Sequence, residues 1–272
     1  MKWIVSVIVL LSGISVFALF EQQSNCLSLT FLDVGQGDSI LVSAPNGNQI
    51  LIDAGRGNRI LSGLRAYMPR GDKTIESIII THADADHADG FASVLKEYDV
   101  KTALFAREEK DDDSLLSIMK VLNDKGASLL RAEAGTTIDL GFGSGFTVIY
   151  PPANISPTFT TNASSVVGVV STAKTQALLT GDAPQSVELF LVETYGNLLK
   201  SEYLKLGHHG SRTSSAEDFV KSVGPRVAIV SAGKNNSYGH PNTEVVERAK
   251  QFGAIIADTA ESGELSYCLS LK

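Results

Sequence analysis

The segment Thr81-His82-Ala83-Asp84-Ala85-Asp86-His87-Ala88-Asp89-Gly90 constrains this chain more than any other. It packs two imidazoles and three carboxylates into ten residues, directly after the apolar run Ile78-Ile79-Ile80 and before a helical pattern. Strand ends are where α/β folds build their sites. Polar groups crowded there without a counter-charge would carry an uncompensated cost. Imidazole and carboxylate together suit zinc, manganese or iron, so the loop reads as a metal-loading element. The other histidines, His208, His209 and His240, also fall at the ends of strand-like runs or in the loops after them.

The surrounding pattern is that of an α/β chain. Strand-like runs occupy 27–34, 39–43, 49–53, 77–81, 100–105, 137–140, 146–150, 165–171, 177–180, 203–206, 227–231, 254–258 and 265–271. Helical spacing appears at 60–67, 90–98, 115–122, 186–199, 216–223 and 243–252. Roughly thirteen strands are too many for one ordinary open sheet in a chain of this length, whereas two packed sheets with helices outside accommodate them. The segments 107–113 and 151–162 read as polar or Pro-rich loops at the rim.

Composition narrows the function classes. A net charge of −7 over 272 residues lacks the basic footprint of a protein that grips duplex nucleic acid. Trp3 to Phe20 is an uncharged run of eighteen, preceded by Lys2 and followed by the polar Glu21-Gln22-Gln23-Ser24-Asn25. It reads as a signal peptide with a passable cleavage site after Ala18, or as a membrane anchor just long enough to span the bilayer core. The expected organisation is therefore 1–25 as export or anchoring segment with its linker and 26–272 as the folded domain, placed outside the cytoplasm. The two cysteines, Cys26 and Cys268, lie in the first and last strand-like runs. Two buried free thiols are the preferred reading, with a disulfide between neighbouring strands as the alternative.

Three further groups carry chemistry. Asp182 ends the apolar run Leu178-Leu179-Thr180-Gly181-Asp182 and is placed to bridge two cations. His208-His209-Gly210-Ser211 ends another run; successive side chains of an extended chain point opposite ways, so one of the two histidines is expected to ligate. Asn236-Ser237-Tyr238-Gly239-His240-Pro241 offers a phenol and an imidazole to protonate a leaving group or hold a substrate.

These runs, with Phe31-Leu32-Asp33-Val34-Gly35-Gln36-Gly37-Asp38-Ser39 and the strand-end Asp53-Ala54-Gly55, together resemble the metallo-β-lactamase superfamily. More narrowly they are similar to the hydrolase domain of ComEC-like DNA-uptake proteins and its stand-alone relatives. The likeness covers about residues 27 to 271, and it implies a four-layer αββα sandwich with a two-metal site at one edge of the sheets. It assigns His82 and Asp84 to a first metal, Asp86 and His87 to a second, and Asp182 as their bridge. His208 is the choice for the remaining ligand, with His209 the close alternative. His240 is the candidate general acid or phosphate ligand, with Tyr238 and the free member of the His208–His209 pair as second choices. Asp33 and Asp53 are expected to orient ligands or backbone, and Asn162, Ser164, Ser165 and Ser211 to line the substrate pocket.

The sequence departs from the general superfamily loop, His-x-His-x-Asp-His. Asp84 stands where the second His would be, and no histidine lies between His87 and His208, where Asn162 to Ser165 fall instead. The first metal site is thus richer in oxygen, which shifts the expectation from zinc towards manganese or a weakly held ion. The function implied is a metal-dependent hydrolase of a phosphodiester, single-stranded DNA being the first substrate to consider. Hydrolysis of a choline phosphoester, a cyclic nucleotide or a lactone, or a non-catalytic accessory role, are the alternatives.

Overall fold

The computed structural model describes residues 26–106, 112–154 and 160–271. The apolar segment 3–20 and the linker after it lie outside the described residues, as do parts of the two rim loops. Among the described residues no helix is long and apolar enough to cross a membrane.

The first sheet is built from β1 (Cys26–Phe31), β2 (Ile40–Ser43), β3 (Gln49–Ile52), β4 (Thr74–Ile80), β5 (Asp99–Phe105), β6 (Ser128–Arg131) and the last strand, β14 (Leu265–Ser270). Their order is β14-β1-β2-β3-β4-β5-β6. The second holds β7 (Thr137–Gly141), β8 (Ser144–Tyr150), β9 (Val167–Ser171), β10 (Gln176–Leu179), β11 (Tyr203–Lys205), β12 (Val227–Val230) and β13 (Ile255–Asp258), in the order β13-β12-β11-β10-β9-β8-β7. Strands β3 to β6 run parallel, as do β10 to β13, and the remaining pairs are antiparallel.

Alternation of side chains across each strand divides the apolar residues into three layers of core. Leu27, Leu29 and Phe31 of β1 and Ile79 of β4 face the second sheet and pack with Val148, Val170, Ala177 and Ile229. Ile78 and Ile80 face the other way, onto α1 (Ile60–Tyr67), α3 (Phe91–Glu97) and α4 (Asp113–Asp124), where Leu64, Phe91, Val94 and Ile118 meet them. Leu178, Leu204 and Ala228 pack outward against α5 (Gln185–Tyr195), α6 (Glu217–Val223) and α7 (Thr243–Gln251). The result is the four-layer αββα sandwich that the resemblance implies.

Each strand expected from the sequence has a counterpart. The additional strand, β6, is a short edge strand whose Leu130 is exposed, so its pattern carries no burial signal. Two four-residue helices, α2 (Ala85–Ala88) and α8 (Thr259–Ser262), are too short to show a period. The helix expected over 186–199 ends at Tyr195, because Gly196 takes φ 49° and a 3₁₀ turn follows.

The free-thiol reading of the cysteines is corrected. β14 pairs antiparallel with β1, which sets Cys26 opposite Ser270 and Cys268 opposite Ser28. Cys26 and Cys268 form a disulfide with their Cα atoms 5.3 Å apart. Sequence alone could not show that the last strand adds itself beside the first.

Candidate metal centre

The parallel strands β3, β4, β10 and β11 end at one edge of the sandwich, and the loops that follow them converge. Two close backbone approaches bring the first sheet's loops together. Gly37, at φ 125°, lies against the Asp86 carbonyl with no room for a Cβ, and Gly90 meets the Ala54 carbonyl in the same way. The Asp38 amide donates to the Asp86 carbonyl at 3.2 Å and the Ala54 amide to the His87 carbonyl at 2.8 Å.

Three imidazoles are held by one ring nitrogen so that the other faces a common centre. Thr81 Oγ1 donates to Asp53 Oδ2 at 2.6 Å, so it accepts from His82 Nδ1 at 3.0 Å. His87 Nδ1 donates to Asp53 Oδ2 at 2.7 Å, and His209 Nδ1 to the Ser231 carbonyl at 2.8 Å. In each ring the fixed Nδ1–H leaves an Nε2 lone pair, the tautomer in which histidine binds metals. These three Nε2 atoms lie 3.8, 3.2 and 3.5 Å from the buried carboxylate of Asp182.

The donor set fits a divalent cation. Asp38, His87, Asp182 and His209 each offer a ligand atom, all within 4.8 Å of one another and all buried. His87 Nε2 and His209 Nε2 face each other at 3.4 Å, a repulsive arrangement of lone pairs unless a cation or a proton lies between them. His82 Nε2, Asp182 Oδ1 and Asp38 Oδ1 are buried without a hydrogen-bond partner, a condition that buried polar atoms rarely keep.

The electrostatics point the same way. Burial by itself would raise the Asp182 carboxyl, but His209, His87 and His82 outweigh it and hold it well below the usual range. Burial would lower His87, yet Asp182 and Asp53 keep it well above the ordinary value; the same balance, with Asp182 and Asp38, pushes His209 up to about 9. Despite partial burial, Asp86 is drawn down to about 2 by His209 and His87. The buried carboxylates therefore draw positive charge towards the centre, and a divalent cation and protons compete for it.

Every other residue singled out by the sequence can be placed. Asp84 Oδ2 lies 3.6 Å from His82 Nε2, and Asp86 Oδ2 3.4 Å from His209 Nε2. His208 is half-buried with Nε2 3.6 Å from Asp182 Oδ2 and Nδ1 3.4 Å from Asn162 Nδ2. The expectation that His208 and His209 point opposite ways does not apply, because both residues take left-handed backbone angles, at φ 49° and 56°, rather than extended ones. His209, not His208, joins the buried group. His240 sits 5.5 Å from the His208 ring, with the exposed Tyr238 stacked on it at 5.8 Å. Asp53 orients His87 and Thr81, whereas Asp33 acts on backbone, accepting from the Gly35 amide at 3.0 Å. Ser165 is buried beside Gly181, but Ser164 and Ser211 are engaged locally, with the Thr161 carbonyl and with Thr213.

Two residues that the sequence reading passed over complete the centre. Asp38 stands in the run that was read for Asp33, and Lys205 looked like part of an apolar strand. Lys205 Nζ is fully buried, 2.6 Å from Asp38 Oδ2, while Asp38 Oδ1 lies 3.3 Å from His209 Nδ1. A charged residue inside an apolar strand end, with an aspartate left unassigned elsewhere, was the available signal.

Comparison with known proteins shows the family and the fold. The chain is 30% identical over 267 residues to ComE operon protein 3 of Bacillus subtilis, covering 89% of this chain and 33% of that protein. It is 31% identical over 251 residues to Recombination protein 2 of Haemophilus influenzae, covering 91% and 29%. The chain thus spans about a third of the length of these relatives. Among solved structures, the fold resembles the metallo-β-lactamase fold protein YhfI of Bacillus subtilis, with TM-score 0.58, 12% identity and coverage of 88% of this chain and 99% of that one. It also resembles CmlA, a diiron β-hydroxylase of Streptomyces venezuelae, with TM-score 0.60, 12% identity and coverage of 89% and 54%. Residues 32–234 match the family described as the Metallo-beta-lactamase superfamily, to which this chain belongs.

Proposed function

We propose that the chain is an exported or membrane-tethered, metal-dependent phosphodiesterase of the ComEC-like kind, acting on nucleic acid or a smaller diester. The observation that carries this reading is the position of Asp182. Its buried carboxylate lies within 3.8 Å of the Nε2 atoms of His82, His87 and His209 at once. His82, Asp84 and Asp182 would hold one cation, and His87, His209, Asp86 and Asp182 a second. Manganese or zinc bound there would supply a water of near-neutral pKa and offset charge on the phosphoryl oxygens.

The protein's own residues do the rest. Asp53 and the Ser231 carbonyl fix the His87 and His209 tautomers, so that neither ring must reorient during turnover. Burial lowers the His240 imidazole, and His208 and His209 lower it further. A neutral His240 donates one hydrogen bond to a phosphoryl or leaving oxygen. Asn162 holds His208, and Ser165 has a buried hydroxyl without a hydrogen-bond partner.

Two observations bear on compartment and substrate. The Cys26–Cys268 disulfide favours an oxidising compartment outside the cytoplasm, in keeping with the apolar N-terminal run. The net charge of −7 favours a small or single-stranded diester over duplex DNA.

The test is hydrolysis by the full chain, stripped and reloaded separately with manganese and zinc. Cleavage of both bis-p-nitrophenyl phosphate and single-stranded DNA supports the nuclease reading. Cleavage of the small diester alone moves the substrate to a small or surface-linked phosphoester. No cleavage with full metal loading overturns the phosphodiesterase and leaves another ester class or an accessory role.

A further inference from the structure

The end of the sandwich opposite the metal centre gathers exposed lysines and apolar side chains. β1 and β3 both run antiparallel to β2, and β3 runs parallel to β4, whose far end leads to His82. Cys26, the first residue of β1, therefore sits at the edge remote from the metal centre. The five residues Glu21 to Asn25 separate it from the apolar run ending at Phe20. Five residues reach at most about 18 Å, so a chain anchored by residues 3–20 holds this edge against the bilayer. A six-residue strand such as β1 is about 20 Å long, which places the metal centre on the outward side.

The side chains at that edge match the location. Ala177, Tyr203 and Val227, at the starts of β10, β11 and β12, lie in one row. Before them opens a groove of about 740 Å³ whose lining includes Lys174, Lys200, Lys221 and Arg226. Arg226 is paired with Glu202 at 2.6 Å, whereas Lys174, Lys200 and Lys221 are exposed and form no ion pair among the described residues. Leu198 lies beside them and is 77% exposed. At the same edge, in the turn between β7 and β8, Phe142 is 60% exposed. It takes φ 58°, a conformation that an aromatic residue adopts only at a cost. β1 belongs to this edge as well: Tyr267, which pairs with Leu29, packs on Tyr203 at 4.8 Å, and Tyr203 accepts from Arg226 at 3.2 Å.

We infer that this edge is a membrane-facing surface. Lys174, Lys200 and Lys221 contact the phosphate headgroups of an anionic bilayer, and Leu198 and Phe142 enter its interfacial layer. Lysine charge beside anionic lipid and protruding apolar side chains are the two contributions that hold a domain flat on such a surface. The inference rests on the tethered form of the proposed function, and it adds an orientation in which the metal centre opens away from the membrane.

The test uses the full chain in vesicles of phosphatidylcholine with phosphatidylglycerol. Both native cysteines are in the disulfide, so Leu198→Cys takes an environment-sensitive fluorophore selectively, and Lys234→Cys, in the loop after β12 at the metal end, serves as reference. The label at 198 is expected to shift to the blue and to be quenched by spin-labelled lipid, while the label at 234 is not. Adding Lys174→Glu, Lys200→Glu and Lys221→Glu, or omitting the anionic lipid, is expected to bring the 198 signal down to the 234 level. A 198 label as wet as that at 234, quenching indifferent to the three lysines, or release of the chain from the vesicles would overturn the inference. So would protection of the 198 label by single-stranded DNA in place of vesicles, which would assign the face to nucleic acid. Hydrolysis of bis-p-nitrophenyl phosphate by the same preparation, expected to be unchanged in the triple-lysine variant, reports separately on the phosphodiesterase reading.

Discussion

Lys205 Nζ lies 2.6 Å from Asp38 Oδ2 behind the metal centre, and neither side chain is open to solvent. Burial would raise the Asp38 carboxyl, but Lys205 and then His209 hold it below its ordinary value. Removing one member of a buried pair leaves the other charge uncompensated, a loss of about 3–5 kcal/mol. Lys205→Met is therefore expected to destabilise the fold by that order in urea unfolding, and to weaken metal binding because Asp38 no longer stays fixed beside His209. A variant with unchanged stability and metal affinity would remove Lys205 from the account.

Asp53 accepts hydrogen bonds from the Thr81 amide, the Thr81 hydroxyl and His87 Nδ1, at 2.8, 2.6 and 2.7 Å. Partners that hold a ligating histidine from behind typically matter by 10–100-fold in affinity. Asp53→Ala is expected to lower manganese or zinc affinity by roughly that factor, read by titration calorimetry. Undiminished affinity would show that His87 is held by packing alone.

Glu188 is buried on α5, where it accepts from the Ser215 and Ala216 amides, both at 2.7 Å. Burial outweighs these bonds and pushes its carboxyl up to about 7. The sign follows from proton linkage. Between the ordinary carboxyl value and about 7 the folded chain binds a proton that the unfolded chain does not, so stability falls as pH rises through that window. A shift of this size corresponds to on the order of 3 kcal/mol. Thermal scans at pH 5 and pH 8 are expected to show a smaller decline for Glu188→Gln than for the unaltered chain; equal declines would contradict the assignment.

The disulfide joins strands whose cysteines are 242 residues apart in sequence. Loss of such a link typically costs about 2–5 kcal/mol. Cys26→Ser with Cys268→Ser is expected to lower the unfolding temperature by several degrees while leaving metal affinity intact, because both cysteines lie at the edge remote from Asp182. A loss of metal along with the bridge would mean that the two ends of the sandwich are coupled.

Much of the centre was legible from residue type and position. Histidines and aspartates at the ends of apolar runs announced the loops that converge, and the strand count announced two sheets. What escaped were features that depend on tertiary placement. Asp38 is indistinguishable from Asp33 until Gly37 brings its loop against Asp86. Lys205 reads as an interruption of a strand until Asp38 is seen beside it. The expectation that only one of His208 and His209 ligates rested on an extended backbone, and only the folded chain shows two consecutive left-handed residues there. The pairing of β14 with β1, and with it the disulfide, is a long-range contact for which a single sequence carries no local signal.

The most direct test is divalent metal binding by the full chain and by Asp182→Ala and His209→Ala, measured as bound manganese and zinc per chain after dialysis. The account predicts that the unaltered chain retains metal, that Asp182→Ala loses it from both positions, and that His209→Ala loses one ion while His82 and Asp84 keep the other. Equal retention in Asp182→Ala and the unaltered chain would contradict the central claim that this buried carboxylate joins the two halves of a metal centre.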